Sequence, residues 1–441
     1  MSYLSHPRKS SEIPAGIPFI ISNELAERFS FYGMKCILII FMTNHLLDSN
    51  QSVDNMSNTE ATYWYHIFTS AVYFTPILGA LIADVFLGKY KTILILSLIY
   101  CFGHLSLAIN ETRMGLTLGL TLIAIGAGGI KPCVSAHVGD QFGKSNSKLI
   151  SKVFSWFYLA INFGAFVSTM LTPYLLHQYG PSIAFGIPGI LMLIATYLFW
   201  IGRNTFIHVP PKGIHFLKDV FSSEGIKSIL NLSTIYIFVA IFWSLFDQTG
   251  STWVLQAEKL DRHWLGINWY PSQIQAINPI MILFFVPVSS YLIYPFLNKY
   301  IALTPLKKIS AGLFLAVPSF LIIGQVEQWI SAGYTPSIAW HILAYTILTA
   351  SEVLISITCL EFSYTQAPNS MKSFIMGLFL LSVSLGNIIT ALINNFILAN
   401  STILNSANYY YLFSFMMLIT AFLFLLVIKF YNGKTYLHME K

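Results

Sequence analysis

Long apolar runs separated by short polar breaks dominate the chain from about residue 17 to residue 430. Most runs are about 20 residues long, the length that an α-helix needs to cross the hydrocarbon core of a bilayer. The breaks contain glycine, proline and charged residues typical of turns. The pattern predicts membrane-crossing helices at about residues 17–46, 61–86, 90–110, 114–141, 149–177, 182–202, 231–258, 272–297, 306–330, 338–366, 373–399 and 408–430.

The twelve predicted helices fall into two groups of six. Residues 1–202 form the first predicted bundle and residues 231–441 the second. The linker, residues 203–230, contains V-P-P-K-G and an amphipathic segment expected at the inner membrane surface. It is too short for an extra helix pair. Two six-helix bundles around a midplane cavity predict an all-α membrane protein with the major facilitator fold.

Composition narrows the class of protein. Of 441 residues, 55% are hydrophobic and 10% are charged, whereas soluble domains carry about 25% charged residues. This excludes disordered chains, disulfide-rich secreted domains and soluble enzymes. The four cysteines lie inside apolar runs without metal-ligand spacing, so neither disulfides nor zinc are expected.

The net charge of +6 reflects topology. With both termini in the cytoplasm, most of the 24 Lys and Arg residues fall in cytoplasmic segments, which is the positive-inside pattern. No nucleic-acid partner is expected. The first apolar run is interrupted by Glu24, Glu27 and Arg28, so a cleaved signal peptide is not expected either.

Ionisable residues inside the predicted helices indicate function. Each would cost about 2.5 to 3.5 kcal/mol if it faced lipid at mid-bilayer, so these groups must face one another or water. In the first helix, charged residues recur every three or four positions and form one stripe with Tyr32 beside it. A structural ion-pair network is the alternative interpretation. Across all the predicted helices, the ionisable residues are Glu24, Glu27, Arg28, Lys35, Lys131, Asp247, Glu352 and Glu361.

Further polar residues share helix faces at α-helical spacing. Each pair alone is compatible with ordinary core packing, but several helices presenting such pairs favour a common cavity. The pairs are His66 with Tyr73, Tyr158 with Asn162, Trp243 with Asp247, and Glu352 with Ser356.

Lys131 follows a glycine-rich segment, G-A-G-G-I, and precedes Pro132. The glycines permit close helix packing, and the proline permits a kink. A lysine this far from either helix end needs a carboxylate, and Asp247 of the second half is a candidate. Because carboxylates outnumber cations in the interior, protons are the expected coupling ion.

The motifs resemble those of the proton-coupled oligopeptide transporter family. The string N-E-L-A-E-R-F-S-F-Y-G resembles the first-helix motif E-x-x-E-R-F-x-Y-Y-G, and G-A-L-I-A-D-V-F-L-G-K-Y-K-T-I and F-Y-L-A-I-N-F-G resemble the signatures after the second helix and in the fifth. Similar strings occur in the fourth, seventh, eighth and tenth predicted helices. The resemblance implies a symporter that imports di- and tripeptides with protons by alternating access.

The resemblance also implies residue roles. Glu24, Glu27 and Arg28 would couple protons and recognise a carboxylate, and Lys131 would bind near the peptide C-terminus and exchange ion pairs with Asp247. His66 would handle protons, and Glu352 would hold the peptide amino terminus. The substrate-binding set is predicted to be Arg28, Tyr32, Lys35, Tyr73, Lys131, Tyr158, Asn162, Trp243, Asn278, Glu352, Ser356 and Phe379.

Two positions depart from the family pattern. Phe31 replaces the first Tyr of the first-helix motif, and Phe379 stands where the eleventh helix often has Trp. Both keep an aromatic wall without its polar atom, which affects the expected side-chain preference of the site.

The remaining expectations are a monomer in the inner cell membrane, no metal and no cofactor besides the proton. A family transporter of nitrate or another small metabolite, a non-transporting peptide sensor, a channel and a membrane-embedded enzyme are the alternatives. Glu352 favours peptides, because an anion carrier does not need a carboxylate that binds amines.

Overall fold

The computed structural model describes residues 3–7, 9–211, 213, 218, 220–368, 371–399 and 406–431. These residues are almost entirely helical, which confirms the predicted all-α class. Within them, the strands are a two-residue antiparallel pair, β1 His263–Trp264 and β2 Ile267–Asn268. The chain forms two compact units, which we call unit 1 (Met1–Asn55 and Ala71–Phe221) and unit 2 (Met56–Ser70 and Ser222–Lys441).

Six long helices contribute to the part of unit 1 that the structure describes. The second continues through a π-helical turn, Ile82–Leu87, and its residues up to Ser70 belong to unit 2. A 3-10 turn, Lys144–Leu149, precedes the fifth helix, and another, Gly202–Asn204, follows the sixth. The helices are α1 Ile17–Asn44, α2 Asn58–Leu81, α3 Lys89–Ile109, α4 Arg113–Asp140, α5 Ile150–Tyr179 and α6 Pro181–Ile201.

Unit 2 has long helices interrupted by 3-10 or π-helical turns. Its α-helices are α7 Ser223–Phe246, α8 Thr252–Ala257, α9 Ile277–Val288, α10 Tyr294–Leu297, α11 Pro305–Ser331, α12 Ala339–Glu352, α13 Thr358–Gln366, α14 Lys372–Ala399 and α15 Ser406–Phe430. The intervening turns are 3-10 at Asp247–Gly250 and Pro271–Ala276, and π-helical at Ser289–Ile293 and Val353–Ile357.

Eleven helical segments of the described chain are long and apolar enough to cross a membrane, from Asn58–Leu87 to Ser406–Phe430. Helix α1 is 28 residues long but is not among them. Its charged residues Glu24, Glu27, Arg28 and Lys35 lower its hydropathy. These are the residues from which a polar cavity was predicted.

Glycines bring α2 and α4 into backbone contact within unit 1. A methyl group on Gly79 would overlap the backbone of Gly129, and one on Gly128 would overlap the Thr75 hydroxyl. The G-A-G-G segment is therefore a helix-packing surface, as its sequence predicts. Pro132 lies inside α4, which continues as a helix to Asp140.

Helix α7 begins at Ser223, earlier than the predicted start at residue 231. The Ser222 side chain caps it by accepting a 3.0 Å hydrogen bond from the Gly225 backbone N–H, and Glu224 lies in the first turn. The predicted amphipathic linker falls partly on residues 212, 214–217 and 219, which lie outside the described residues. The predicted bundle boundaries remain a prediction.

Candidate functional site

The charged stripe of α1 forms a compact ion-pair cluster. Arg28 Nε lies 2.8 Å from Glu24 Oε1 and 3.4 Å from Glu27 Oε2. The Glu24 and Glu27 side chains are 2% and 1% exposed, whereas Arg28 is 14% exposed. Since neither Glu27 oxygen makes a hydrogen bond within the described chain, this carboxylate is held by charge attraction alone.

Lys131 is held by aromatic rings. Its Nζ atom lies 3.7 Å from the centre of the Phe31 ring and 4.8 Å from the centre of the Tyr73 ring. The atom is buried and forms no hydrogen bond with any residue that the structure describes. The two ring faces therefore supply negative potential to the ammonium, and the pairing of Lys131 with Asp247 stays a prediction. Phe31 provides the closer of the two rings.

The remaining predicted residues of unit 1 lie on α1 and α5. Lys35 is buried on the helix that carries the cluster, and the half-buried Tyr32 ring lies 5.5 Å from the Phe31 ring. On α5, the Asn162 Nδ2 atom donates a 3.0 Å hydrogen bond to the Tyr158 carbonyl. The Tyr158 side chain is exposed.

Glu352 is oriented by an amide in unit 2. Asn278 Nδ2 donates hydrogen bonds to Glu352 Oε2 at 2.6 Å and to Thr349 Oγ1 at 3.2 Å. Ser356 lies within the π-helical turn that follows Glu352, and the shared face of the two side chains stays a prediction. Such turns often occur at functional sites.

Asp247 and His66 are joined by a residue that sequence reasoning missed. Asn387 Nδ2 donates to Asp247 Oδ2 at 2.8 Å and to the Val383 carbonyl at 2.9 Å. With both amide hydrogens used, Asn387 Oδ1 must accept, so the His66 Nδ1 atom 2.6 Å away carries the hydrogen. The other ring nitrogen, Nε2, lies 2.9 Å from Ser251 Oγ. Unit 2 therefore contains a continuous chain of hydrogen bonds that runs from the Asp247 carboxylate through the Asn387 amide and the His66 imidazole to the Ser251 hydroxyl.

Two aromatic residues of unit 2 are buried against other rings. The Trp243 ring lies 5.3 Å from the Phe246 ring, and its indole nitrogen has no hydrogen-bond partner in the described chain. The Phe379 ring lies 6.1 Å from the Tyr236 ring.

Glu361, which the sequence placed in the tenth predicted helix without a role, is exposed on α13.

The family model described as the POT family matches residues 90–223 and 214–410. The chain belongs to the POT family. This confirms the resemblance inferred from the motifs and makes the chain a member of a family of integral membrane transporters rather than enzymes. No group of three or more His, Cys, Asp or Glu residues suited to a metal ion occurs in the part of this POT protein that the structure describes.

Some of the relatives in animals are named as peptide transporters. Peptide transporter family 1 of Drosophila melanogaster is 39% identical over 362 residues, which cover 71% of this chain and 48% of that protein. Solute carrier family 15 member 2 of Homo sapiens is 36% identical over 369 residues, covering 72% of this chain and 49% of the relative. The POT chain thus spans about half the length of the curated relatives it matches.

Solved POT structures match along nearly the whole length of both chains. The POT family transporter PepTSo has a TM-score of 0.87 and 34% identity, covering 95% of this chain and 99% of its own. An auto-inhibited POT family peptide transporter has a TM-score of 0.88 and 32% identity, covering 97% and 99%. The fold is therefore that of POT transporters.

The residues that sequence reasoning missed in this POT chain are uncharged or near helix ends. Asn387 is a single amide in the apolar run S-V-S-L-G-N-I-I-T, where its only signal was a polar residue at mid-helix. Glu327 lies in G-Q-V-E-Q-W, close to the predicted end of the ninth helix. It is nevertheless buried, with 4% of its surface exposed.

Proposed function

We propose that this POT protein is a proton-coupled symporter that imports di- and tripeptides by alternating access. The proposal rests on family membership, on the names of its relatives and on the two charged sets described above. Arg28 and Lys131 take the peptide carboxylate. Glu352, with its carboxylate oriented by Asn278, takes the peptide ammonium.

One observation carries the choice of substrate. A short peptide has two charged ends, and its backbone sets the distance between them. The chain buries opposite charges suited to both ends. Glu352 accepts a 2.6 Å hydrogen bond from Asn278 on one oxygen, which leaves the other oxygen for an ammonium group. The side chains of the peptide meet mainly aromatic walls, such as Phe379 and Trp243, so broad side-chain tolerance is expected.

Protons are the proposed coupling ion, and no cofactor is required. The candidate carriers are Glu24, Glu27, Asp247 and His66. A zwitterionic peptide has no net charge, so membrane potential alone cannot concentrate it. A co-transported proton adds about 2.3 kcal/mol per 100 mV and about 1.36 kcal/mol per pH unit.

The chain has an arrangement that supports coupling in each unit. In unit 1, neutralising Glu27 would leave Arg28 paired with Glu24 alone. In unit 2, a change of charge on His66 would be transmitted through Asn387 to Asp247. The exchange of ion pairs between Lys131 and Asp247 remains part of the proposal.

The proposed topology has twelve membrane-spanning helices in two bundles of six. The charged helix α1 is counted together with the eleven apolar segments to give twelve, and no extra helix pair is included. The protein is proposed to be a monomer in the cell membrane with both termini in the cytoplasm, because this orientation keeps most basic residues inside.

The rival substrates are nitrate or another small metabolite, and a non-transporting peptide sensor is the rival mode of action. The ordered Glu352 carboxylate favours peptides over anions, because it would repel an anion. Competition of labelled dipeptide uptake by dipeptides, tripeptides, free amino acids and nitrate separates these rivals. A sensor would bind peptides without moving them.

Peptide-driven proton uptake in proteoliposomes tests the function. We expect Lys131→Ala and Glu27→Gln each to abolish proton-driven accumulation. Lys152→Ala is a matched control, since the Lys152 ammonium also lies over a ring, 5.2 Å from the Trp156 centre, but near the start of α5. Wild-type accumulation in both test variants would contradict the proposed mechanism.

A further inference from the structure

A polar cavity lies within unit 2, and Glu352 is not among the residues that line it. Its volume is about 220 Å³. It is lined by residues near the start of α2, around α8, near the ends of α11 and α14, and near the start of α15. In the proposed topology this is the external end of the protein. The residues that carry the argument are Thr62, Gln256, Lys259, Glu327, Asn394 and Tyr409.

Glu327 supplies a buried carboxylate to this cavity. Its Oε2 atom accepts a 2.6 Å hydrogen bond from Gln256 Nε2, which also donates to the Ile323 carbonyl at 3.2 Å. With both amide hydrogens used, Gln256 Oε1 accepts from His341 Nε2, 2.7 Å away. The reverse amide orientation would place two oxygens against each other. Every donor in this buried chain therefore points toward Glu327, which fixes the orientation of the carboxylate.

The other carboxylate oxygen is only loosely engaged. Lys259 Nζ lies 3.8 Å from Glu327 Oε1, beyond hydrogen-bond distance, and the Lys259 side chain is 51% exposed. A buried carboxylate with one firmly held oxygen and one loosely paired oxygen is suited to accept a donor from a ligand. The half-exposed lysine at the rim is suited to bind an anion.

The opposite wall offers a further donor. Asn394 Nδ2 donates to the Tyr409 hydroxyl at 3.0 Å and to the Thr390 carbonyl at 2.9 Å. The Tyr409 oxygen therefore acts as an acceptor toward Asn394, and its own hydrogen has no acceptor within the described chain. Together with Lys259 it can donate to a carboxylate. The cavity thus presents one acceptor for a cation and two donors for an anion.

We propose that this cavity binds a small zwitterion, with the ligand's ammonium group on Glu327 and its carboxylate on Lys259 and Tyr409. Binding exchanges the Lys259–Glu327 ion pair for two new ones. A bare metal cation would be repelled by Lys259, whereas a zwitterion uses both charges. The volume is below that of drug-sized pockets, so the ligand is a free amino acid or a dipeptide of small residues.

Binding of a zwitterion to this cavity is independent of the proposed transport. If the cavity also makes the first contact with an incoming peptide, that role rests on the proposed function. His341 acts as a positioning residue, because it reaches the ligand only through Gln256 and Glu327.

Equilibrium dialysis of radiolabelled alanyl-alanine against the full chain in detergent tests the site. The Glu352→Gln background removes the amine-binding carboxylate of the proposed transport site. In that background we expect Glu327→Gln to weaken the remaining binding about tenfold or more, because a charge-assisted contact is lost. Glu361→Gln, the same change at an exposed position, is the matched control and should leave binding unchanged.

Ligands lacking one charge test the assigned orientation. Lys259→Met should weaken binding of alanyl-alanine but not of alaninamide, which has no carboxylate. N-acetylalanine should bind weakly and equally with or without Glu327→Gln. The proposal is overturned if the Glu327→Gln and Glu361→Gln variants bind alanyl-alanine with the same affinity. It is also overturned if sodium chloride, added at constant ionic strength, displaces alanyl-alanine as effectively as alanine does. A protein that fails to transport peptides but shows the predicted dialysis pattern would contradict only the proposed function.

Discussion

The Nζ atom of Lys131 lies 3.7 Å from the centre of the Phe31 ring. The ring face attracts the ammonium, and in a desolvated position such a contact is worth about 0.5 to 2 kcal/mol. The departure of this chain from the family motif is therefore at a position that directly contacts the candidate substrate-binding lysine. An aromatic wall is sufficient for this contact, and the tyrosine hydroxyl is not required.

Phe31→Leu should weaken peptide binding about threefold to thirtyfold, because Lys131 loses the nearer of its two rings. Equilibrium binding of a labelled dipeptide is the measurement. Phe31→Tyr keeps the ring and is expected to bind within about twofold of the wild type. Phe31 is fully buried, so the melting temperature of each variant must be compared as well. Equal binding by the Leu and Tyr variants would argue against a role for the ring.

Asn387→Leu should uncouple His66 from Asp247. The variant keeps the approximate volume but removes the 2.8 Å hydrogen bond to Asp247 and the acceptor for His66. Leaving buried polar groups without partners costs about 1 to 3 kcal/mol. We expect weaker proton-driven dipeptide uptake with a changed dependence on external pH, measured in proteoliposomes from acidic to neutral conditions.

Ser382→Ala is the control for that change. Ser382 is buried on the same helix and donates only to the Phe379 carbonyl within the described chain, 2.6 Å away. Its replacement should leave the pH profile unchanged. A pH profile in Asn387→Leu that superimposes on that of Ser382→Ala would show that the amide does not participate in coupling.

The sequence was sufficient to predict the membrane class, the approximate helix positions and the family. Charged residues in apolar runs are costly, so Glu24, Glu27 and Arg28 stood out, and the structure joins them in one cluster. Asn278 and Glu352 were both predicted, and they form a hydrogen bond. Their roles in substrate binding remain predictions.

Other features depend on geometry that spacing does not encode. A π-helical turn such as the one after Glu352 cannot be recognised from hydropathy. The link between His66 and Asn387 joins residues far apart in the chain, and an asparagine carries no charge to mark it. Glu327 was missed because hydropathy leaves helix ends uncertain by several residues.

Glu352→Gln should discriminate between peptides by their amino terminus. We expect the affinity for free dipeptides to fall about tenfold or more, since a charge-assisted contact with the peptide ammonium is lost. N-acetylated dipeptides should be affected much less. Competition against a labelled dipeptide, with Glu361→Gln as the control, provides the comparison. Equal losses for free and blocked peptides would reassign Glu352 to another role.

Gly79→Ala should destabilise unit 1, because the new methyl group would overlap the backbone of Gly129 and force α2 and α4 apart. Overpacking of this kind costs about 1 to 3 kcal/mol. Gly139→Ala is the matched control: Gly139 lies near the end of α4, the helix that Gly79 contacts, and a methyl group there has no neighbour within 4 Å among the described residues. Thermal unfolding in detergent should show a lower melting temperature for Gly79→Ala and an unchanged or higher one for Gly139→Ala, since alanine favours the helix. If both variants melt together with the wild type, the two helices do not depend on this close contact.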